Sequence, residues 1–316
     1  MIPTNRESIT TIIYSSLFLL TLETLILRIS PQIFPLINTL PIIFIGQILK
    51  FELFLSSLIV SNFLIFILCI SEVLVLEKNI ALNFFFHYLI VSSLAYFFFA
   101  VLKSSLKRKK SSEGVIITFI LAVTFLLISL ILFYFSTIDY SNLKTYFSGL
   151  SENFIENSKS NKTIINQESI ENIIKIIPSI NAFVFLTTFM INFHIASFFS
   201  KKLNFETKYK IFFDDFYVPR WYFLTFFLLI IFSFLLNSDL KFYCVNSSIV
   251  LSFIFFFQGF RIFNRNFDKY KINGFVKILI IFLLFIFLGY VLILIIFFLG
   301  FYNTFKRIFL RKIEKV

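Results

Sequence analysis

The sequence predicts an all-α fold, a polytopic transmembrane helical bundle with about eight or nine membrane segments. Of its 316 residues, 59% are hydrophobic and only 15% are charged, whereas a soluble domain has roughly 25% charged residues. The mean hydropathy is +0.91. Several apolar runs reach the roughly 20 residues that a helix needs to cross about 30 Å of hydrocarbon. A bilayer is therefore the first expected partner.

The charge and the cysteines exclude several other classes. The net charge is +12, but the basic residues cluster in short loops between apolar runs, which is typical of membrane orientation. No nucleic-acid motif accompanies them. Cys69 and Cys244 form no CxxC pair, and His87 and His194 have no Cys or carboxylate cluster beside them. We predict no metal, no cofactor and no nucleic-acid partner.

Residues 1–135 form the predicted N-terminal transmembrane block, with about five segments. Ile9–Leu27 is the first span, and we expect it to be retained because it lacks the basic start and cleavage site of a secretory signal. Ile33–Leu49 contains Pro35 and Pro41, which predict a kinked span or a re-entrant segment. Three clear spans follow at Phe51–Ile70, Ile80–Leu102 and Val115–Phe135.

Residues 136–177 form the longest polar stretch, a predicted outer loop. Its apolar residues recur at helical spacing over 143–150 and 170–177, which predicts two short amphipathic helices at the membrane surface. The basic run from Lys103 to Lys110 precedes the span before this loop and is expected on the cytoplasmic side. This orientation places the N-terminus in the cytoplasm.

Residues 178–316 form the C-terminal transmembrane block. Its first spans are Pro178–Phe199, Trp221–Leu236 and Tyr243–Ile262. The last apolar run, Phe275–Tyr302, would reach roughly 42 Å as one helix. It is either one tilted helix or a helix broken at Gly289, so the side of the C-terminus stays open.

Four polar residues within the spans are candidate ligand-binding residues. Glu23 is an intramembrane carboxylate, which points to function unless it lies at the interface or pairs with Arg28. Asn181 and Asn192 are eleven residues apart and share a helix face, where they could bond a ligand or a neighbouring helix. Gln258 precedes Gly259, and the pair suits either a ligand or close helix packing.

The C-terminal half carries motifs that resemble the YybS-like family of bacterial predicted membrane proteins of unknown function. Each motif is short, and their order and spacing carry the resemblance. The motifs are Pro178-Ser-Ile-Asn-Ala, Asn192 with Ala196 to Lys202, Val218-Pro-Arg-Trp, Phe257-Gln-Gly-Phe, and Leu299-Gly-Phe-Tyr with a basic tail. The N-terminal half is similar only in helix layout. The family is in turn distantly similar to the substrate-binding S components of energy-coupling-factor transporters.

The resemblance implies a multi-pass protein of the bacterial inner membrane that binds or transports a small solute, with energising subunits as expected partners. The alternative is a scaffold for envelope or division proteins, which would use the outer loop and the charged inner loops as partner surfaces. No P-loop, GxSxG or HExxH motif occurs, and we expect no enzymatic activity.

Overall fold

The computed structural model describes a chain built from α-helices. The described residues are 6–29, 37–71, 78–107, 112–137, 167–209, 218–236, 238–270 and 273–310. They contain no strand, so the predicted all-α class is confirmed. The helices are α1 Arg6–Ile29, α2 Thr39–Ile48, α3 Phe51–Ile70, α4 Lys78–Lys107, α5 Ser112–Thr137, α6 Gln167–Lys202, α7 Arg220–Leu235, α8 Ser238–Lys269, α9 Gly274–Leu288 and α10 Tyr290–Phe305, with a π-helical turn at Lys306–Leu310.

Six of the described helices are long and apolar enough to cross a membrane. The candidate spans are Glu7–Leu27, Phe51–Ile70, Ala81–Ser105, Lys175–Lys202, Leu240–Phe267 and Val291–Phe309. Shorter apolar segments lie at Thr39–Ile48, Gly114–Ser129, Arg220–Leu235 and Leu279–Leu288. The predicted number of eight or nine segments lies between two counts over the described residues. The long spans alone number six, and the long and short segments together number ten. The amphipathic helix expected over 143–150 lies outside the described residues.

The chain divides into two compact units. Unit 1 contains residues 1–119 and 185–215, and unit 2 contains residues 120–184 and 216–316. Helices α5 and α6 each belong partly to unit 1 and partly to unit 2. The sequence-based division at 135 and 178 follows hydropathy instead and stays a prediction.

Aromatic rings fill the core of unit 1. The Phe98 ring lies 5.0 Å from both the Phe119 and Phe189 rings and 5.7 Å from Phe193, all edge to face. Such pairs add about 0.5–1.5 kcal/mol each beyond burial. The 51 phenylalanines of the chain therefore include residues that pack the core as well as exposed rings such as Phe63 and Phe125.

In unit 2, α8 and α10 cross with their backbones in direct contact. A Cβ added to Gly259 would lie 1.7 Å from the carbonyl oxygen of Ile296, and one added to Gly300 would lie 1.8 Å from that of Phe255. Beside this crossing, the Thr304 hydroxyl donates to Gln258 Oε1 at 2.7 Å. The Gln-Gly and Leu-Gly motifs thus form one helix crossing, of the small-residue kind that membranes favour.

Helix α6 begins earlier than predicted. The span was expected to start at Pro178, but the helix starts at Gln167 and continues through the proline. The buried Asn246 side chain of α8 supports this passage, because its Nδ2 donates to the Lys175 carbonyl at 2.9 Å and its Oδ1 accepts from the Ser179 N–H at 3.2 Å. These are the two groups that would bond each other in an unbroken helix. The apolar residues over 170–177 therefore belong to α6.

Gly289 separates α9 from α10. Its φ of +50° is the left-handed region that glycine enters without strain. The last apolar run is thus a broken helix, one of the two alternatives that its length allowed.

Candidate functional site

Helix α2 is a short helix inside unit 1. It has ten residues and a length of about 15 Å, which is half of the roughly 30 Å hydrocarbon thickness. Pro41 lies in its first turn, where proline is tolerated. Leu49 and Lys50 are extended and end the helix before α3. The described part of this segment is thus too short to cross the bilayer by itself, and residues 30–36 lie outside the described residues.

Two side-chain amides fix both ends of α2 to α6. At the first end, Asn192 Nδ2 donates to the Thr39 hydroxyl. At the other, Gln47 Nε2 donates to the Phe193 carbonyl at 3.1 Å and to Ser197 Oγ at 2.9 Å. We call this pair of attachments the amide clamp. It holds a helix that is too short to be positioned by its own span.

The connector after α6 reinforces the second end of the clamp. The Lys208 N–H donates to the Gln47 carbonyl at 2.8 Å. Tyr209 packs edge to face on Phe99 with ring centroids 5.6 Å apart. Burial raises the pKa of the Tyr209 phenol, so its hydroxyl is neutral at physiological pH.

Hydroxyl groups join α1, α3 and α4. The Ser15 and Ser57 hydroxyls are 2.6 Å apart, and Ser16 donates to the Ser57 carbonyl at 3.1 Å. One turn further along α3, the Ser61 and Tyr88 hydroxyls are 3.0 Å apart. These bonds fix the helices against one another at successive levels.

Glu23 lies in this interior. Its exposed fraction is 0%, and neither carboxylate oxygen has a hydrogen-bond partner. A buried ionised carboxylate without a partner is strongly unfavourable, and such a group takes up a proton, a cation or a donor instead. The side chain is therefore buried inside unit 1.

Asn38 is a second buried polar side chain of unit 1 without a partner. It directly precedes α2, its exposed fraction is 0%, and neither of its amide atoms is hydrogen-bonded. An unsatisfied buried polar group costs about 1–3 kcal/mol. Sequence reasoning did not single out Asn38, which lies in the proline-containing segment Ile33–Leu49. Its signal was an amide placed between Pro35 and Pro41 in an otherwise apolar run.

An apolar groove runs along the same helices. It has a volume of about 750 Å³ and is lined by α1 between Thr11 and Ile26, by residues 37–48, and by Phe199, Leu203 and Phe205. This volume falls within the roughly 300–1,000 Å³ of small-molecule sites. Two of its three hydroxyls are engaged, since Thr11 donates to the Glu7 carbonyl and Ser15 to the Thr11 carbonyl. The third belongs to Tyr14, which is exposed. The groove thus offers apolar contact with little hydrogen bonding.

The structure divides the four predicted site residues between the two units. Glu23 and Asn192 are buried in unit 1, and Gln258 is buried in unit 2. Asn181 is exposed, although it shares a helix with Asn192 about 16 Å away along the axis. Asn192 and Gln258 both bond other helices, which leaves Glu23 as the predicted residue whose bonding capacity is unused.

The described part of the chain contains no group of three or more His, Cys, Asp or Glu residues that could hold a metal ion. The Asp214-Asp215 pair lies outside the described residues. What unit 1 presents is one buried carboxyl group, in α1, and one buried amide, directly before α2, each without a hydrogen-bond partner.

Comparison with known proteins places these helices in a family. No curated protein matches the chain, and no solved structure matches it. The family described as "Predicted membrane protein (DUF2232)" matches residues 12–303. The match includes α2 to α9 completely and most of α1 and α10, so it covers four candidate spans in full and most of the first and last. The chain therefore belongs to this family of membrane proteins.

Proposed function

We propose that this protein binds a small solute inside unit 1 and acts as a solute-binding or transport component of its membrane. The observation that carries the proposal is the pair of buried, unbonded side chains Glu23 and Asn38. A carboxyl and an amide offer acceptors and a donor, so the solute would present an amine, an amide or another donor-rich head group.

The position of α2 supports this role. Short or Gly/Pro-interrupted membrane segments are a pointer to substrate sites in transporters, and α2 has ten residues with Pro41 and Gly46 inside it. Asn38 lies at the beginning of this helix, where a small movement would open its side chain. The amide clamp keeps α2 attached to α6 while its other side separates from α1.

The site is closed in this structure, because Glu23 and Asn38 have no exposed surface. Binding therefore requires α1 and α2 to separate, and the protein would alternate between closed and open forms. Glu23 would then exchange its proton or its partner as the site opens. Energy for net transport would come from separate subunits, as the resemblance to S components implies. The role proposed is binding, without catalysis.

The test is a thermal-shift screen of the detergent-purified protein against vitamins, nucleobases and amino acids, with native mass spectrometry of any co-purifying compound. We expect one compound class to raise the melting temperature. The effect should vanish in Glu23→Gln and Asn38→Leu. The matched control is Glu52→Gln, because Glu52 is an exposed glutamate of the same unit that pairs with Lys103, and this variant should still respond.

Two outcomes would overturn the proposal. If no compound shifts the wild-type melting temperature and only lipid co-purifies, a scaffold role becomes the better explanation, and crosslinking through residues 136–177 would seek the protein partner. If a compound binds equally well to Glu23→Gln, Asn38→Leu and wild type, the solute site lies elsewhere in the chain.

A further inference from the structure

We infer that the groove along α1 and α2 is a binding site for one anionic phospholipid, with an acyl chain in the groove and the head group at the end of α6. This site is distinct from the proposed solute site. It uses the outer side of α1, whereas Glu23 points into the interior with Ser16, Leu19 and Leu27.

The groove has the chemistry and the length of an acyl-chain site. Its α1 wall runs from Thr11 to Ile26, about 22 Å along the helix axis, within the candidate span Glu7–Leu27. The opposite wall is the apolar side of α2. Because two of its three hydroxyls, those of Thr11 and Ser15, already bond backbone carbonyls, a polar ligand would lose most of its hydration there without compensation, whereas a hydrocarbon chain would not.

Charge at one end selects an anionic head group. Phe199, Leu203 and Phe205 close that end of the groove, and Lys201 and Lys202 lie between them in sequence at the last turn of the span. Both lysines are exposed and make no ion pair with any residue that the structure describes. Basic side chains at a membrane surface attract anionic lipids by about 1 kcal/mol each.

The other charges near this end do not cancel the lysines. Lys50 is exposed just beyond Ile48, which lines the groove. Glu206 of the connector is paired with Lys208 at 2.6 Å. The exposed Glu7 lies one turn before the groove along α1 and offsets one of the three lysines that have no ion pair in the described part of the chain. The local balance is therefore positive at the point where the apolar groove meets the membrane surface, which is the arrangement that a phospholipid with a negative phosphate group requires.

The test counts lipids bound to the full-length protein by native mass spectrometry. Detergent-purified protein is titrated with phosphatidylglycerol or with phosphatidylcholine of identical acyl chains. We expect one phosphatidylglycerol molecule to bind tightly and phosphatidylcholine to bind more weakly. Leu22→Trp fills the groove and should abolish the tight site. Its matched control is Leu25→Trp, since Leu25 is an exposed leucine of the same helix that does not line the groove.

A second variant avoids any change to the helix packing. Lys201→Gln with Lys202→Gln should weaken phosphatidylglycerol binding by about fivefold per lysine and leave phosphatidylcholine unchanged. The control is Lys241→Gln with Lys269→Gln, two exposed lysines of unit 2. The inference fails if both lipids bind equally to the wild-type protein, or if the Leu22→Trp variant retains the tightly bound lipid. It also fails if Leu22→Trp dissociates a dimer, because the groove would then be an interface between copies of this chain. Because Glu23 and Asn38 are unchanged in these variants, a failure here leaves the solute proposal to its own test.

Discussion

Unit 1 and unit 2 use their buried polar side chains differently. In unit 2, Asn246 bonds both sides of the proline in α6, and Gln258 accepts a hydrogen bond from α10. Each of these amides joins two helices. In unit 1, Asn192 does the same for α2 and α6, but Glu23 and Asn38 join nothing.

This difference in hydrogen bonding separates polar side chains that stabilise the fold from polar side chains that do not. In hydrocarbon, where water cannot satisfy polar groups, an amide that joins two helices contributes to stability, and an unbonded one costs stability. A costly group at a membrane interior is therefore a functional candidate. Substitutions should consequently have opposite effects on the two sets, and the following predictions test that difference.

The largest effect is expected at the backbone crossing of unit 2. Gly259→Ala places a Cβ 1.7 Å from the Ile296 carbonyl oxygen, so α8 and α10 must move apart. We expect a loss of about 3 kcal/mol or more in the free energy of unfolding, measured by thermal or detergent unfolding followed by circular dichroism. Gly114→Ala is the matched control, because nothing lies within 4 Å of its added Cβ. Equal effects at the two glycines would disprove the close crossing.

Asn246→Leu should have the next largest effect. It leaves the Lys175 carbonyl and the Ser179 N–H without the partners that cross the proline break. We expect a loss of about 2 kcal/mol in unfolding free energy. In a Pro178→Ala background, α6 can close its own ladder, so the same substitution should cost about 1 kcal/mol less. If the two effects simply add, Asn246 does not act through the proline.

The sequence predicted the membrane class and most spans because both depend on local composition. The span Phe51–Ile70 has the predicted bounds, since Lys50 precedes a predominantly apolar run and Glu72 follows it closely. The start of α6 was predicted wrongly because proline usually marks a helix start. Here a side chain from another helix, Asn246, supports the proline, and its partner is 71 residues away in sequence. A single sequence does not show such pairs.

The candidate site was only partly predictable for the same reason. Glu23 stood out because a carboxylate within a span is unusual whatever its neighbours are. Asn38, Asn192 and Gln258 are all amides in apolar segments, and their sequence surroundings do not distinguish them. The structure separates them, because Asn192 and Gln258 have partners on other helices and Asn38 has none.

A smaller loss of stability is expected when the amide clamp is opened. Asn192→Leu removes the bond to Thr39 at the first end of α2. Inter-helix hydrogen bonds in membranes contribute about 0.6 kcal/mol on average and up to about 1.7 kcal/mol, so we expect a loss of about 1 kcal/mol in the same unfolding measurement. Asn181→Leu is the control on the same helix, because Asn181 is exposed, and its unfolding should be unchanged. An Asn192→Leu protein as stable as wild type would show that the clamp does not hold α2.

The smallest effect, and the one with opposite sign, is expected at the unbonded side chains. Glu23→Leu and Asn38→Leu each replace a buried group that lacks a partner with an apolar one of similar volume. In the absence of solute we expect the free energy of unfolding to stay constant or rise by about 1 kcal/mol, since no inter-helix bond is lost. Glu52→Leu serves as the control for removing a carboxylate from the same unit. Solute binding should disappear in both buried variants, so that stability is kept while function is lost. If Glu23→Leu loses as much stability as Asn192→Leu, the carboxyl group has a structural partner. Glu23 would then belong with the side chains that join helices, and the distinction between the two sets of polar residues would be wrong for the residue on which the solute proposal depends.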